Sequence, residues 1–598
     1  MRKRIPQALS AVTAVAWLLL AGLTAGEARA GVISPELQAR LRVAGPEEEI
    51  PVIISFGNRV DLSAFGNQLT AGRGRTRELL VQALRSQADV SQRRVVDLLI
   101  KRGSSHQTVL WLSNRLAVLV RPAVIAEIGG MPGVDCIGLD VAMTLGESAP
   151  GTISTDGWNL AALHVPDLWG MGFDGTGVTV ATLDTGADLL HADLSGRWRG
   201  GGDSWFDPSG QHATPHDAHG HGTQVLGLLV GGNAGGTAIG VAPGAKWIAA
   251  KIFDDAGVAT FSGIHQAYQW LLDPDSDPAT DDAPDIVNSS WGLQGSVNQC
   301  VQEFHDDLAA LRAAGIAVVF AAGNEGPGEA TSLSPADDPG SFAVGALNEA
   351  LTVTLFSSRG PSACDGRIWP EVTVPGANLR TADLTSGGVF PNAYAYVTGT
   401  SFAAPEVSGA LALLRQAFPE LSGADLEAGL LAASEDLGVS GPDNDYGHGL
   451  PDLVAAYALL LNQTMGADKD HDGYVAGPAG GDHPDCDDSD PTVHPGAAEI
   501  KHDGIDQDCN GYDLTIEILE AVFDSATDTL RVKATSELLA SGVIRHSGLE
   551  LEGYGRMERK GTRRWVWWEK TVKHVHGKPG SVVVRGVEGS TSAPVASK

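Results

Sequence analysis

The chain has 598 residues, a formal net charge of −32 and five cysteines. That length accommodates three or four domains, each large enough to bury a core. So large a carboxylate excess excludes a nucleic-acid binder, which needs clustered lysine and arginine against phosphate, and suits solubility outside the cell.

Residues 1–30 carry Arg2-Lys3-Arg4, an apolar run over 8–23 and Ala28-Arg29-Ala30. This is the pattern of a signal peptide with cleavage after Ala30. A membrane anchor would want a longer uninterrupted apolar span of about 20 residues. No cysteine follows for a lipid and no second spanning stretch occurs, so the expected product is secreted and extracellular.

Over 31–148 the pattern predicts a strand at 51–56, a long helix at 75–102, strands at 109–112 and 116–120, a short helix at 124–128 and a strand at 134–139. The β-α-β-β-α-β order reads as ferredoxin-like α+β. Arg73, Arg75, Arg77, Arg85, Arg93 and Arg94 make the helix region basic. It is either a solvated face or a complement to an acidic surface.

The strand 178–183 then ends in Asp184-Thr185-Gly186, followed by Gly220-His221-Gly222-Thr223-Gln224-Val225. Further on stand Asn288-Ser289-Ser290-Trp291-Gly292 and the apolar run 318–322 leading to Gly323-Asn324-Glu325-Gly326. Gly399-Thr400-Ser401-Phe402-Ala403-Ala404-Pro405 precedes an apolar stretch, 407–414, with helical character. A serine at such a helix start meets free N–H groups and a dipole that favour a developing negative charge. Its hydroxyl is a weak nucleophile until a base takes the proton. The order Asp, His, Ser is that of subtilisin and not that of chymotrypsin or the α/β-hydrolases.

On these blocks, residues of about 155–460 resemble the subtilisin-like serine proteases, the subtilase family, in its bacillopeptidase F-like branch. The resemblance implies an α/β three-layer sandwich with a mostly parallel sheet. It implies His221 as general base, Asp184 as the group holding its tautomer, and Ser401 as nucleophile. Asn324 matches the oxyanion-hole asparagine, acting with the Ser401 backbone N–H. Ser289, Ser290, Trp291 and Gly292 match the edge strand that takes extended substrate by strand addition. Residues 31–148 match in pattern the family's propeptide, a folding chaperone and temporary inhibitor whose tail lies in the cleft; self-cleavage is expected within 146–153. Gln224, Phe402 and Glu406 depart from the family pattern. Glu406 either opposes the oxyanion or serves as a favourable charge near a helix N-terminus.

Removing the propeptide takes Cys136 away and leaves an even count, as an oxidising compartment favours. The expected pairs are Cys486 with Cys509 and Cys300 with Cys364; the alternative to the second is two separate thiols.

The segment 461–513 is rich in carboxylates. Asp468, Asp470 and Asp472 alternate before Gly473-Tyr474, like the start of an EF-hand loop, but its twelfth position is Ala479. The remaining oxygens must come from Asp485, Asp487, Asp488 and Asp490 and from Asp503, Asp506 and Asp508. Residues 468–513 resemble the thrombospondin type 3-like, MopE-type metal-binding repeat. Oxygen ligands favour Ca2+, and unneutralised carboxylates at this density repel one another. A disordered acidic linker is the alternative.

Over 514–590 alternating runs predict a small β-sandwich, with Trp565, Trp567 and Trp568 clustered as core or as a gripping surface; 591–598 read as a disordered tail. The whole is read as 1–30 signal peptide, 31–148 propeptide, 149–460 catalytic domain, 461–513 metal repeat and 514–590 β domain. The expected protein is a monomeric, secreted serine endopeptidase acting on protein substrates, with its own propeptide as inhibitor, no nucleic-acid partner and no membrane span. The alternative is a catalytically silent protease fold serving as a calcium-dependent binding module.

Overall fold

The computed structural model describes residues 31–66, 73–104, 106–146, 149–388, 393–465, 470, 472–474, 485–487, 489–498, 500, 505–509, 515–536, 548–562, 565–586 and 589–598. The signal-peptide reading lies outside these residues. Among the described residues no helix is long and apolar enough to cross a membrane.

The chain divides into two units, 1–59 with 87–140, and 60–86 with 141–598. The first contains a five-stranded sheet in the order Val32–Ile33, Val134–Leu139, Ile50–Phe56, Arg115–Val120, Gln107–Leu110. In Ile50–Phe56, Val52, Ile54 and Phe56 repeat every second residue, so one face of the strand is apolar; they join Val95, Leu99, Ile125 and Ile137 in the core. The predicted elements stand in the predicted order. The strand Val32–Ile33 and the helix Pro35–Leu41, held at its start by the Ser34 hydroxyl, are additions.

In the second unit the main sheet has seven strands, all paired in parallel: Val372–Pro375, Phe342–Leu347, Ala317–Ala321, Ile286–Ser289, Thr179–Asp184, Lys246–Lys251 and Trp205–Phe206. Parallel sheets are covered on both faces, so their strands read as unbroken apolar runs. Ala317–Ala321 does so, with every residue buried. The helices His221–Val230 and Thr400–Ala417 pack on this sheet through Leu226, Leu229, Val407, Ala410 and Leu411. Asp184, the first turn of each helix and the turn after Ala321 therefore meet beyond the carboxyl ends of the strands, where parallel sheets place their sites.

The same unit contains 60–86, the start of the long helix Arg73–Lys101. Arg73 pairs with Asp285 at 2.5 Å and Arg77 with Asp281 at 2.7 Å, and Arg85 pairs with the buried Asp273. Arg77 also donates to the carbonyl of Ala314. These arginines face acidic groups, whereas Arg75 pairs with Glu78 of its own helix.

Cys300 is joined to Cys364 and Cys486 to Cys509; Cys136 is in no disulfide. Beyond residue 514, a five-stranded and a four-stranded sheet share one core that includes Phe523, Val532, Leu551, Trp568 and Val584. Residues 591–598, expected as a disordered tail, instead pair with Ser581–Gly586 and with Glu517–Asp524 and bury Val595 in that core. Trp568 is buried, Trp567 lies half-buried under the Lys533 ammonium at 4.5 Å, and the side chain of Trp565 is outside the described residues.

Candidate active site

Asp184 ends its strand with its carboxylate buried. Its Oδ1 accepts from the Thr185 N–H at 2.7 Å and lies 2.7 Å from Nδ1 of His221. The turn after it needs glycine: Gly186 has φ +120°, and a Cβ there would sit 1.9 Å from the carbonyl oxygen of His216. His221 opens its helix, and Gly222 follows so closely on the Gly186 backbone that a Cβ would stand 2.2 Å from its oxygen. Asp217, absent from the sequence reading, ties down this helix start. It accepts from the N–H groups of His219, Gly220 and Thr223 and from the Thr223 hydroxyl, at 2.7–3.0 Å. A carboxylate is favourable there because the first-turn N–H groups lack helical partners.

Burial would lower the His221 imidazole. The charge and hydrogen bond of Asp184 outweigh burial, with Asp217 adding to them, and hold the ring above its usual pKa. With Nδ1 engaged by Asp184, Nε2 is the nitrogen left for proton transfer, and it has no hydrogen-bond partner.

Ser401 is the second residue of the helix Thr400–Ala417. Pro405 stands four residues later and has no N–H for the Ser401 carbonyl. Ser290 replaces that bond: its hydroxyl donates to the Ser401 carbonyl at 2.7 Å. In return the Ser401 hydroxyl donates to the Ser290 carbonyl at 3.2 Å and makes no hydrogen bond to His221 Nε2. Catalytic hydrogen bonds are often unformed without substrate, and a rotation about χ1 re-aims this one.

Asn324 follows the strand Ala317–Ala321. Its Oδ1 accepts from the N–H and the hydroxyl of Thr400, both at 3.0 Å. That orients the amide and leaves Nδ2 as a donor beside the serine turn. Asn324 and Ser401 line one cleft of about 300 Å3 together with Ser290, Trp291, Gly292 and Gly146.

The expected edge strand at 289–292 differs in part. Ser289 lies inside the main sheet, opposite Leu183 and Phe320, and is fully buried. Only Ser290, Trp291 and Gly292 reach the cleft, and the Trp291 indole packs against Phe304 and Phe320. The edge that receives an extended segment is Val258–Thr260, which pairs antiparallel with Ala142–Thr144. Leu145 continues the pairing with an N–H to the Gly257 carbonyl at 3.3 Å.

Glu406 is fully buried with Asn159 donating to its Oε1, while Oε2 has no partner. Burial pushes this carboxyl well above its usual pKa, more than the Asn159 bond lowers it. Burial thus disfavours the charged form that would oppose an oxyanion. The carboxylate of Asp193 is engaged by Tyr394 and the Ala234 N–H.

Of the expected metal ligands, Asp470, Asp472 and Asp485 converge, with ligand oxygens within 4.8 Å of one another. Oδ2 of Asp472 is buried without a hydrogen-bond partner. Asp487 and Asp490 bond to Ser489 and Thr492 in local turns, and Tyr474 stacks on His494. Asp506 and Asp508 stand outside the converging group, and Asp468, Asp488 and Asp503 fall outside the described residues.

The sequence model of the Subtilase family matches residues 175–449. Subtilisin of Bacillus pumilus is 33% identical over 302 residues, which are 50% of this chain and 98% of that protein.

The chain belongs to the subtilase family.

This subtilase is a subtilisin-like serine protease. It is also 33% identical to bacillopeptidase F of Bacillus subtilis (strain 168) over 459 residues, 70% of this chain and 31% of that protein. It thus spans about a third of that relative's length. Alkaline elastase YaB of Bacillus sp. (strain YaB) is 32% identical over 325 residues, 54% of this chain and 76% of that protein. A metal-binding motif of the MopE type matches residues 485–513.

Proposed function

We propose that this subtilase is an exported endopeptidase that releases itself from its own N-terminal segment and then hydrolyses other proteins through an acyl-enzyme. In this reading Nε2 of His221 takes the Ser401 proton, and Oγ adds to the carbonyl carbon of the scissile bond. The Ser401 N–H and Asn324 Nδ2 receive the oxyanion. His221 then returns the proton to the leaving amine, and water, deprotonated by His221 in turn, hydrolyses the ester. Asp184 keeps the ring in one tautomer and stabilises the imidazolium.

The observation that carries self-release is the placement of residues 142–146 and 149–150. Ala142–Thr144 lies along Val258–Thr260 in the manner of an extended substrate, and Gly146 lines the cleft beside Ser401 and Asn324. The chain then resumes at Ala149–Pro150 on a different strand, Tyr394–Thr398. This supports the peptide bond after Gly146 as the first one cut. The ion pairs of Arg73, Arg77 and Arg85 support an inhibitory role for the segment.

In the acidic repeat we assign Ca2+, held by Asp470, Asp472 and Asp485. Converging carboxylates with an orphaned buried oxygen suit a hard cation. The ion would neutralise these charges and takes no part in the peptide chemistry.

The test follows intact mass over time in protein lacking residues 1–30, as wild type and as Ser401→Ala. Wild type alone should lose residues 31–146 and acquire Glu147 as N-terminus. Equal cleavage in both proteins, or none in either, would sink the self-release reading.

A further inference from the structure

Outside the serine site, three side chains from two loops converge at the surface. The rings of His212 and His216 stack with centroids 3.9 Å apart. His212 Nε2 lies 2.9 Å from Oδ2 of Asp255, and one ligand atom from each of the three residues lies within 4.8 Å of the others. We propose that His212, His216 and Asp255 form a site for a divalent transition ion, with zinc as the representative.

The donor set decides the class. Two imidazole nitrogens and one carboxylate suit zinc and its neighbours, whereas calcium takes oxygen. Zinc holds such ligands at about 2.0–2.1 Å in a tetrahedron, which places them about 3.3 Å from one another. The Asp255–His212 spacing is already close to that, and the stacked rings need only splay. Three ligands leave the fourth position to water.

The backbone under each ligand is anchored. The His212 N–H donates to Asp207 at 2.8 Å and its carbonyl accepts from the Trp205 indole at 2.9 Å. The His216 carbonyl accepts from the Ala187 N–H at 3.3 Å, and the neighbouring Asp217 pairs with Gly186. The Asp255 N–H donates to Gln211 at 2.9 Å. Buried Lys251, bonded to the carbonyls of Thr185 and Phe253, also lies 3.2 Å from Oδ1 of Asp255. His212 Nε2 lies 3.1 Å from that Oδ1 and 2.9 Å from Oδ2, so Oδ2, not paired with Lys251, is the nearer oxygen for a shared ion.

The ion would tie together two loops that lead to the histidine and to the strand paired with Ala142–Thr144. One loop, 207–217, leads into the His221 helix. The other, the turn 254–257, leads into Val258–Thr260, with Asp254 and Val258 bonded across it. Metal would therefore stiffen the path from the histidine to the strand that receives substrate.

The inference does not depend on peptidase activity, and its test uses none. Full-length Ser401→Ala protein, kept in saturating calcium, is titrated with Zn2+ by calorimetry and with Co2+ by visible absorption. Loss of an outer-sphere partner alone weakens metal sites roughly 10–100-fold. His216→Ala should therefore weaken one zinc equivalent at least as much, and His212→Ala/His216→Ala should remove that equivalent and the tetrahedral cobalt band. Because His216 is exposed, melting temperatures without zinc should match, and zinc should raise only that of the parent. Equal zinc equivalents and the same cobalt spectrum in parent and double variant, or an equal zinc-induced rise in both, would overturn the assignment.

Discussion

The serine site and the acidic repeat both gather carboxylates away from water, and they balance the charge by different means. Asp184 and Asp217 are met by His221 and by backbone N–H groups that the fold itself aims at them. In the repeat, Asp470, Asp472 and Asp485 face one another across a few ångströms, and Oδ2 of Asp472 has no partner. A carboxylate without a counter-charge or a donor is costly to bury. Oδ2 of Asp184 also has no partner, but the His221 ring beside that carboxylate offers a counter-charge; for the repeat we propose that an ion supplies it.

Experiments on the serine site should produce the largest effects and leave folding intact. Asp184→Asn should lower kcat by about 10^4-fold, because the ring loses its tautomer and its counter-charge. Its acidic limb should also move. In the wild type, activity is lost as pH falls through a His221 pKa raised above 6.5; without the Asp184 charge that midpoint should drop. An unmoved limb in a pH profile of kcat/KM would contradict the electrostatic account. Asn324→Ala should lower kcat by about 100- to 1,000-fold with little change in KM, as expected for a donor used in the transition state.

Calcium removal should do the opposite: spare the chemistry and loosen the repeat. An ion held at 100 times its Kd stabilises its domain by about 2.7 kcal/mol. Chelation should therefore lower a melting transition of the C-terminal region, while a fluorophosphonate probe still labels Ser401 at 25 °C. Loss of labelling would show that the two regions are coupled.

The smallest effect concerns Glu406, a buried carboxyl balanced by neither route. Its folded pKa is raised from 4.5, so the stability it contributes is fully present below pH 4.5 and is lost as pH rises through the raised value. Glu406→Gln should be close to wild type in urea unfolding near pH 4 and increasingly the more stable of the two as pH rises. Parallel stability curves for the two proteins would refute the burial argument.

Asp184, His221, Asn324 and Ser401 were legible because each sits in a short block whose local conformation demands particular neighbours. Gly186 and Gly222 mark a close backbone approach, and the turn before Ser401 opens a helix. Asp217 was missed because its partners lie along a loop without regular periodicity. Val258–Thr260 was missed because a three-residue strand carries almost no alternation signal. Ser289 was misplaced for a third reason. Polar Asn288-Ser289-Ser290 looked like an edge, yet Asn288 is satisfied inside the fold by Ser290 and Ser408. In the N-terminal segment, periodicity was enough for the element order, whereas Val32–Ile33 is too short to register. The convergence of Asp470, Asp472 and Asp485 is tertiary, and spacing alone does not select these three from so many carboxylates.

The crossed pair of Ser290 and Ser401 has a dynamic consequence. Helix starts normally fray, with opening free energies near zero, while central strands open only with the whole domain. Because Pro405 withholds the local N–H, the carbonyl of the nucleophile is bonded next to the central strand Ile286–Ser289 instead of along its own helix. Breathing of the first helical turn is thereby linked to a buried central strand of the sheet. The amide of Phe402, bonded to the Gly399 carbonyl within that turn, should therefore exchange with deuterium more slowly than the amides of an ordinary first helical turn.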